Sequence, residues 1–368
     1  MRRLYQLMTQ FLAVNRAARG RRRAFFDSAK LVIAGALYGA LLMGGAVQAA
    51  DKAADASAED NDLAEAWIER MNSAFAKLDY DGVFSFYTGD NLASLRVVHK
   101  LEDGLERERL VHLNGAPREI VRHGDKVICI LQPGDRLVAM GGSIPAGPFA
   151  RAFIRDFGMV SSSYNLSMKG EDRVAQRQAV RMLVEPKDEH RYGHRLWLDK
   201  ETGLLLKSEL FDIKRNKALE IFQFNQLAMG SDVNSAALDP EQPQGSVIDH
   251  LTVAENAPAK SESTNWHAGW LPAGFEMAAS DLRHAPATQQ DVNALIYSDG
   301  LAAISVFVET MPAASVGAES NMISHNGATV SVTQAVMGPN DAKHLVTVVG
   351  EVPAKTASAV AKSISYSN

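Results

Sequence analysis

The sequence predicts an α+β protein in which a large N-terminal antiparallel curved sheet packs over helices and a smaller C-terminal α+β domain follows. Its 368 residues are 46% apolar and 22% charged, which supplies enough apolar side chains for two buried cores and excludes wholesale disorder. Short β-rich runs separated by turn residues fill most of the first half. A proline-bearing stretch without periodicity then precedes a second group of strands. These observations indicate two domains of unequal size joined by a linker.

Residues 1–50 differ from the rest of the chain in charge and in hydropathy. They contain eight Lys and Arg residues and one acid, and residues 31–50 are uncharged and end in small side chains. This order predicts a signal peptide over residues 1–50 with cleavage near Ala49 or Ala50. A signal anchor is the alternative, because twenty uncharged residues can just span about 30 Å of hydrocarbon.

Both alternatives export the remaining 318 residues, since the positive charges keep the N-terminal end in the cytoplasm. The pair Arg22-Arg23 also fits a twin-arginine export signal, so the sequence leaves the export route open.

The exported body is acidic. Without residues 1–50 its formal charge is −12, against −5 for the whole chain. Such a body disfavours nucleic acid and favours a basic segment of a partner protein. The single cysteine, Cys129, lies in an apolar run and is predicted to be a buried residue of a strand. One cysteine cannot form an internal disulfide.

The folded part is predicted to begin with a helix at Asp62. Residues 51–61 are rich in Ala, Asp and Glu, lack apolar periodicity and are predicted to be a flexible leader. From Asp62 onward, apolar side chains recur at the helical period, and the helix ends before the turn at residues 79–82. The apolar stripe of this helix consists of Leu63, Trp67, Met71, Ala74, Phe75 and Leu78.

Residues 62–230 are predicted to form the large domain as one sequential antiparallel meander. Turn signals such as Asn114-Gly115 and Pro133-Gly134 separate successive runs, because these residues adopt the backbone angles of tight turns. The predicted strands span residues 83–88, 92–100, 107–113, 118–122, 126–131, 136–140, 164–169, 175–184, 192–198, 203–210 and 218–224.

A second helix is predicted to interrupt this meander after Pro148. Phe149, Phe153 and Phe157 recur every four residues and therefore share one helix face. Such an aromatic stripe either packs in an ordinary core or lines a lipid-sized pocket under the sheet.

Residues 231–262 carry three prolines and little periodicity, and are predicted to be a linker. The smaller domain follows over residues 263–368. Its predicted strands span residues 292–298, 302–310, 328–335 and 344–349. A closing helix after Pro353 presents Ala357, Val360, Ala361 and Ile364 on one face.

No pattern of catalytic residues emerges. The sequence contains no nucleophile elbow, phosphate loop or zinc helix. His190 and His194 have a helical metal-ligand spacing, but the alternating pattern around them indicates a strand, on which four residues span about 13 Å. The chain is therefore predicted to bind rather than to catalyse, with no metal and no cofactor. The covered sheet face and the cleft between the domains are the two candidate binding surfaces.

Six segments resemble the MucB/RseB family in that family's order. Three lie in the large domain: residues 108–122 (ERLVHLNGAPREIVR), 192–199 (YGHRLWLD) and 202–207 (TGLLLK). Three lie in the smaller domain: residues 270–275 (WLPAGF), 297–301 (YSDGL) and 346–353 (VTVVGEVP). The resemblance runs from about Asp62 to Ile364 through both domains.

The resemblance implies a periplasmic negative regulator of an envelope-stress sigma-factor pathway. Such a protein binds the periplasmic domain of a MucA/RseA-like anti-sigma factor, shields it from regulated proteolysis and releases it on lipid signals such as lipopolysaccharide. The large domain would then be a half-barrel like the LolA lipoprotein carriers, and the smaller domain would supply much of the anti-sigma contact. A periplasmic lipid or lipoprotein carrier is the alternative function. A second copy of the chain is a further compatible partner.

Two sets of residues are the candidates for these roles. The lipid-groove candidates are Trp67, Met71, Phe149, Phe153 and Phe157. The partner-binding candidates are Trp270, Phe275, Tyr297 and Asp299.

Overall fold

The computed structural model describes residues 46–89, 91–124, 126–131, 160, 162–241, 247–252, 264–285, 290–311 and 321–367. The predicted signal-peptide residues up to 45 lie outside these ranges, as do the predicted strand at residues 136–140 and the helix that carries Phe149, Phe153 and Phe157. Within the described ranges, none of the helices combines the length and apolar character needed to cross a bilayer.

The architecture is mostly β, and the helical residues among those described lie in Ala46–Lys77, in Ala354–Ser363 and at 160, 162 and 163. The predicted large antiparallel N-terminal sheet and smaller second domain are confirmed, whereas the description α+β overstates the helix content. The half-barrel shape stays a prediction. The N-terminal sheet has eleven strands: β1 (Tyr80–Thr88), β2 (Asn91–Glu102), β3 (Leu105–His112), β4 (Glu119–His123), β5 (Lys126–Leu131), β6 (Tyr164–Val174), β7 (Arg177–Pro186), β8 (Gly193–Asp199), β9 (Leu205–Asp212), β10 (Lys217–Met229) and β11 (Val247–Thr252).

Two meanders meet in the middle of this sheet. The strand order is β11-β5-β4-β3-β2-β1-β10-β9-β8-β7-β6, and neighbours are antiparallel. The prediction of one sequential meander is therefore wrong at two places, because β5 does not pair with β6 and β1 pairs with β10 instead. Aromatic side chains explain the central pairing. Phe84 lies opposite Phe224 and Phe86 opposite Phe222, and the Phe84 and Phe222 rings are 5.0 Å apart.

Helix α1 (Ala46–Lys77) packs on the face of the sheet that carries these phenylalanines. It starts well before Asp62, so the prediction of a flexible leader over residues 51–61 is wrong. In the two turns that follow Asp62, its buried face also differs from the predicted one, since Leu63 is 49% exposed. The residues that enter the core are Ala64, Ile68, Met71, Ala74 and Phe75.

The segment after β10 is not the irregular linker that the sequence predicts. It first forms two short 3-10 helices, Gly230–Asp232 and Ser235–Leu238. Leu238 is buried with Val98 on the opposite face of the sheet from α1. The segment then supplies the edge strand β11, which pairs with β5. These short elements were not predicted because the segment is rich in polar residues and prolines and lacks apolar periodicity.

The second domain is built on a six-stranded antiparallel sheet of order β13-β14-β15-β18-β17-β16. The helix α2 (Ala354–Ser363) packs Ala357, Val360 and Ala361 against it. Four strands confirm predicted ones, and four short or edge strands were not predicted. The elements are β12 (Trp266–Ala268), β13 (Glu276–Ala285), β14 (Gln290–Ser298), β15 (Ala303–Thr310), β16 (Asn321–Asn326), β17 (Thr329–Met337), β18 (Lys343–Gly350) and β19 (Ile364–Tyr366).

Candidate functional site at the domain junction

Turns and loops of both domains meet in one junction. The N-terminal domain contributes the β7–β8 loop, the end of β1 and the start of β10. The C-terminal domain contributes the β14–β15 turn, the β16–β17 turn and the segment before β13. Leu301 and Ala328, one from each C-terminal turn, belong to the same buried cluster as the N-terminal core. The second domain therefore closes one end of the covered face of the large sheet.

A buried ion pair crosses this junction. Arg191, in the β7–β8 loop, donates from Nε to Oδ2 of Asp299 at 2.6 Å, and both side chains are inaccessible to solvent. The Tyr164 hydroxyl donates to the same carboxylate oxygen at 2.9 Å. The remaining guanidinium donors reach Asp188 and the carbonyl oxygen of Ala273. Burial alone would lower the pKa of Arg191, but its contact with Asp299 outweighs burial and raises it.

The local sequence holds Asp299 in place. Its Oδ1 accepts hydrogen bonds from the backbone N–H of Leu301 at 2.8 Å and of Ala302 at 2.5 Å. This is the side-chain-to-backbone turn that an Asp before Gly favours. One carboxylate oxygen therefore closes the β14–β15 turn and the other reaches across to the first domain.

A glycine allows the segment before β13 to lie close to the first domain. Gly274 has φ +81°, and a Cβ there would lie 2.5 Å from Oγ of Ser163. The Phe275 ring that follows lies 4.9 Å from the guanidinium carbon of Arg191. The ion pair is thus enclosed by an aromatic face as well as by hydrogen bonds.

The same loop forms an exposed rim around the buried pair. Glu189 accepts from Lys214 of its own domain at 2.6 Å and from Lys355 of helix α2 at 2.8 Å. These two lysines lower the pKa of Glu189 to about 2. Next to them, the His190 ring meets the Trp270 ring edge-on at 5.2 Å. The rim therefore joins both domains on the surface.

A second polar contact lies near the start of β10. Glu220 is inaccessible to solvent, and its Oε1 accepts from the Thr88 hydroxyl at 3.1 Å and from the backbone N–H of Ala328 at 2.9 Å. Gly327, with φ +60°, approaches so closely that a Cβ would lie 2.1 Å from Oγ1 of Thr88. Glu351 of the second domain is 8% exposed, and its negative charge raises the pKa of Glu220.

A row of polar side chains crosses the covered face at its other end. Tyr80, His99, Glu108 and Arg122 lie directly opposite one another on β1 to β4, and all are buried. Burial raises the pKa of Glu108. Burial also raises the pKa of Tyr80, and the negative charge of Glu108 adds to this increase. Burial lowers the pKa of His99, but its contact with Glu106 and the charge of Glu108 raise it above the ordinary value. No local sequence pattern indicated this row.

Three of the four predicted partner-binding residues lie at the junction. Trp270 is 38% exposed, whereas Phe275 and Asp299 are buried against Arg191. Tyr297 lies in the core of the second domain, 3% exposed, where its hydroxyl accepts from the backbone N–H of Ala268 at 3.1 Å. In this arrangement, Trp270 is the member of the set that a partner can reach.

The described lipid-groove candidates lie between α1 and the sheet. Met71 is fully buried in the core. Trp67 is half-buried at the edge of that core and is covered by the guanidinium of Arg70 at 4.3 Å. Phe149, Phe153 and Phe157 lie outside the described residues.

This geometry suits binding and control of domain arrangement. Within the described ranges, no three His, Cys, Asp or Glu side chains come together as metal ligands would. The junction instead couples buried charges, glycine contacts and an exposed aromatic rim. Sequence reasoning did not identify Arg191, Glu220 or the β16–β17 turn as parts of the site.

Comparison with known families gives two matches that together span nearly all of the described chain. A family model described as the MucB/RseB N-terminal domain matches residues 63–242, and one described as the MucB/RseB C-terminal domain matches residues 260–365.

Individual relatives agree with this assignment. The chain is 38% identical over 330 residues to the sigma factor AlgU regulatory protein MucB of Pseudomonas aeruginosa, covering 89% of this chain and 95% of that protein. It is also similar to a crystal structure of MucB in complex with MucA(peri), with a TM-score of 0.67, 33% identity and coverage of 83% and 99%. A Pseudomonas aeruginosa MucA/MucB complex gives a TM-score of 0.69, 35% identity and the same coverage.

Proposed function

Because this chain belongs to the MucB/RseB family, we propose that it is a periplasmic regulator that binds the periplasmic domain of a membrane-anchored anti-sigma factor. Binding shields that domain from regulated proteolysis and so restrains an envelope-stress response. The observation that carries the proposal is the similarity over both domains to MucB structures described as complexes with MucA. The relatives are sigma-factor regulatory proteins and not enzymes, which agrees with the prediction from the sequence.

The periplasmic location rests on two supports. One is the predicted signal peptide over residues 1–50, and the other is the family itself. The MucA segment in one related complex is described as periplasmic.

The exposed rim of the junction is the proposed partner surface. Trp270 offers a large aromatic side chain, the type of residue that dominates many interfaces. It touches His190 of the first domain, and the hydroxyl of Ser363 in helix α2 donates to its carbonyl oxygen at 3.1 Å. A partner segment that packs on Trp270 would contact both domains at once. Its affinity would therefore depend on how the domains are docked.

Release by envelope lipids forms the second part of the proposal. The large sheet has an extended apolar face under α1, and the C-terminal turns carrying Leu301 and Ala328 close one end of it. A lipid such as lipopolysaccharide that entered under α1 would compete with that closure. Linkage then requires that a lipid which weakens partner binding also binds the partner-free form better by the same factor.

Titration calorimetry tests the proposal directly. The mature chain is titrated with the periplasmic domain of a MucA-like anti-sigma protein, with and without lipopolysaccharide. We expect saturable binding, and lower affinity when lipopolysaccharide is present. In a parallel digestion, the anti-sigma domain should be cleaved more slowly in the complex than alone. Absence of binding would overturn the regulator, whereas binding unchanged by lipid would overturn only the release mechanism.

A periplasmic lipid or lipoprotein carrier is the second candidate, and the apolar face under α1 favours it. A carrier would transfer labelled acyl ligand between vesicles and an acceptor without any anti-sigma protein. Transfer together with failure to bind the anti-sigma domain would favour the carrier.

A further inference from the structure

We propose that docking of the two domains is proton-linked through Glu220, so that the β16–β17 turn seats on the first domain when this carboxyl group is neutral and leaves it as the group ionises. This inference is independent of which partner or lipid the protein binds. It concerns the contact near the start of β10.

One oxygen of Glu220 is satisfied and the other is not. Oε1 accepts from Thr88 and from the backbone N–H of Ala328, while Oε2 is buried without a hydrogen-bond partner among the described residues. Burying an ionised carboxylate is costly unless both of its oxygens are hydrogen-bonded or solvated. Burying a neutral carboxyl group with one unpaired oxygen costs less. The side-chain amide of Asn326 and the hydroxyl of Thr329, in the same hairpin, are also buried without partners.

The charges around Glu220 oppose its ionisation. Thr88 on β1 and the backbone of the turn are neutral. Tyr192, the residue before β8, has a pKa raised to about 12, mainly by burial, and the charge of Glu220 contributes to that increase. Glu351 is the charged group that faces Glu220 from the second domain. The one titratable side chain of the hairpin, His325, is exposed. Among the described residues, no basic side chain lowers the pKa of Glu220.

Burial is the main reason why the pKa of Glu220 lies well above its ordinary value, and the charge of Glu351 adds to it. The hydrogen bonds from Ala328 and Thr88 act in the opposite direction without compensating. Removal of the Glu351 charge should therefore lower the pKa of Glu220, as expected for like charges that share a site.

The second domain is what buries this group. Ala328 donates to Glu220, and a Cβ on Gly327 would lie 2.7 Å from its Oε1. Withdrawal of the turn would return the carboxyl to water and its pKa towards the ordinary value. Docking is therefore fully favoured below the ordinary pKa of Glu and is weakened as pH rises through the raised pKa of the docked state.

Undocking at this point would also uncover the covered face of the large sheet. Ala328 packs in the N-terminal core, and Thr88 and Glu220 continue the rows of Phe86 and Phe222 on the same face. Neutral or mildly alkaline conditions would thus open one end of the apolar interior, and mild acid would keep it closed.

Hydrogen exchange of the hairpin measures this directly in the full mature chain. After correction for the intrinsic chemical rate, we expect protection of the β16–β17 amides to fall as pH rises from 5 to 8, by up to roughly tenfold per unit of pKa difference. Glu220→Gln should keep the hairpin protected across this range. Glu185→Gln removes one charge from an exposed position on β7 and should leave the wild-type profile unchanged.

A second variant keeps the test decisive if Glu220→Gln does not fold. Glu351→Gln removes the opposing charge and so lowers the pKa of Glu220 in the docked state, and the fall in protection should become smaller and end at a lower pH. The proposal is overturned if wild-type protection is independent of pH, or if a folded Glu220→Gln protein retains the wild-type profile. None of these measurements needs an anti-sigma protein or lipid, so they can fail independently of the proposed function.

Discussion

Arg191 and Asp299 form an ion pair across the two domains, with Nε of Arg191 2.6 Å from Oδ2 of Asp299 and neither side chain reached by solvent. Each charge makes a further hydrogen bond within its own domain: Arg191 donates to Asp188, and Asp299 accepts from the backbone N–H of Leu301. Burying two charges is costly, so such a pair fixes geometry more than it adds stability. The pair therefore defines one relative position of the two domains.

Asp299→Asn should destabilise the protein by about 3–5 kcal/mol, because it leaves Arg191 buried with less compensation and weakens the β14–β15 turn. Urea unfolding measures this change. Asp232→Asn, at an exposed position in a 3-10 helix, should change stability by less than about 0.5 kcal/mol. Equal effects of the two substitutions would contradict a structural role for the buried pair.

Gly327→Ala should undock the hairpin. Its Cβ would overlap Oγ1 of Thr88 and Oε1 of Glu220, at 2.1 and 2.7 Å. Gly230→Ala is the matched control, because Gly230 has a similar φ of +68° with nothing within 4 Å of the added atom. Both variants carry a backbone cost of about 1 kcal/mol. Small-angle scattering should show expansion for the first variant only, and a compact Gly327→Ala protein would refute the close contact.

Trp270→Ala should weaken binding of the anti-sigma periplasmic domain by roughly thirtyfold, corresponding to about 2 kcal/mol for an aromatic residue central to an interface. Calorimetric titration gives the dissociation constant. Leu113→Ala removes a comparably exposed apolar side chain, 51% exposed, from the β3–β4 turn and should bind normally. Unchanged affinity of a folded Trp270→Ala protein would exclude this surface.

Met71→Ala should cost about 2–5 kcal/mol of unfolding free energy, because it leaves a cavity between α1 and the sheet. Leu63→Ala lies two turns earlier on the same helix, where the leucine is 49% exposed, and should cost far less. Thermal unfolding of the lipid-free protein compares them. Similar midpoints for both variants would indicate that Met71 lines a preformed cavity rather than a packed core.

The Glu189 carboxylate should titrate at about pH 2, since Lys214 and Lys355 stabilise its charge. Its depressed pKa means that this bridge is present above the ordinary pKa of Glu and is lost as pH falls through about 2. Carbon-13 NMR of labelled Glu follows the titration. Lys355→Met should raise the midpoint and leave the fold intact, and an unchanged midpoint would show that the interdomain contact does not form.

Local patterns were sufficient for most strands of both sheets. Residues 126–131 were predicted with the bounds that β5 has in the structure, and Cys129 is buried there as expected. Alternating burial and turn residues are encoded within a few positions, so sequence alone reveals them. Asp299 was identified only as a candidate for partner binding, and not as a residue that joins the two domains.

Long-range partners were beyond such patterns. Arg191 and Asp299 are 108 residues apart, and nothing in either local sequence names the other. The helix stripe was misjudged for a different reason. Leu63 and Trp67 have larger apolar side chains than Ala64. The helix nevertheless packs against the sheet with the face that carries Ala64 and Ile68. Tertiary contacts decided between two neighbouring stripes of one helix.

The central pairing of β1 with β10 sets an order of assembly for the growing chain. Thr88 and Glu220 are 132 residues apart, so the first meander must wait with an open edge until the second has been made. An unpaired edge strand invites pairing with other chains, and sheets closed by such distant contacts fold slowly. A chain that emerges N-terminus first would therefore depend on protection of β1 while β6 to β10 are completed. The hairpin that seats on Glu220 can join only after that.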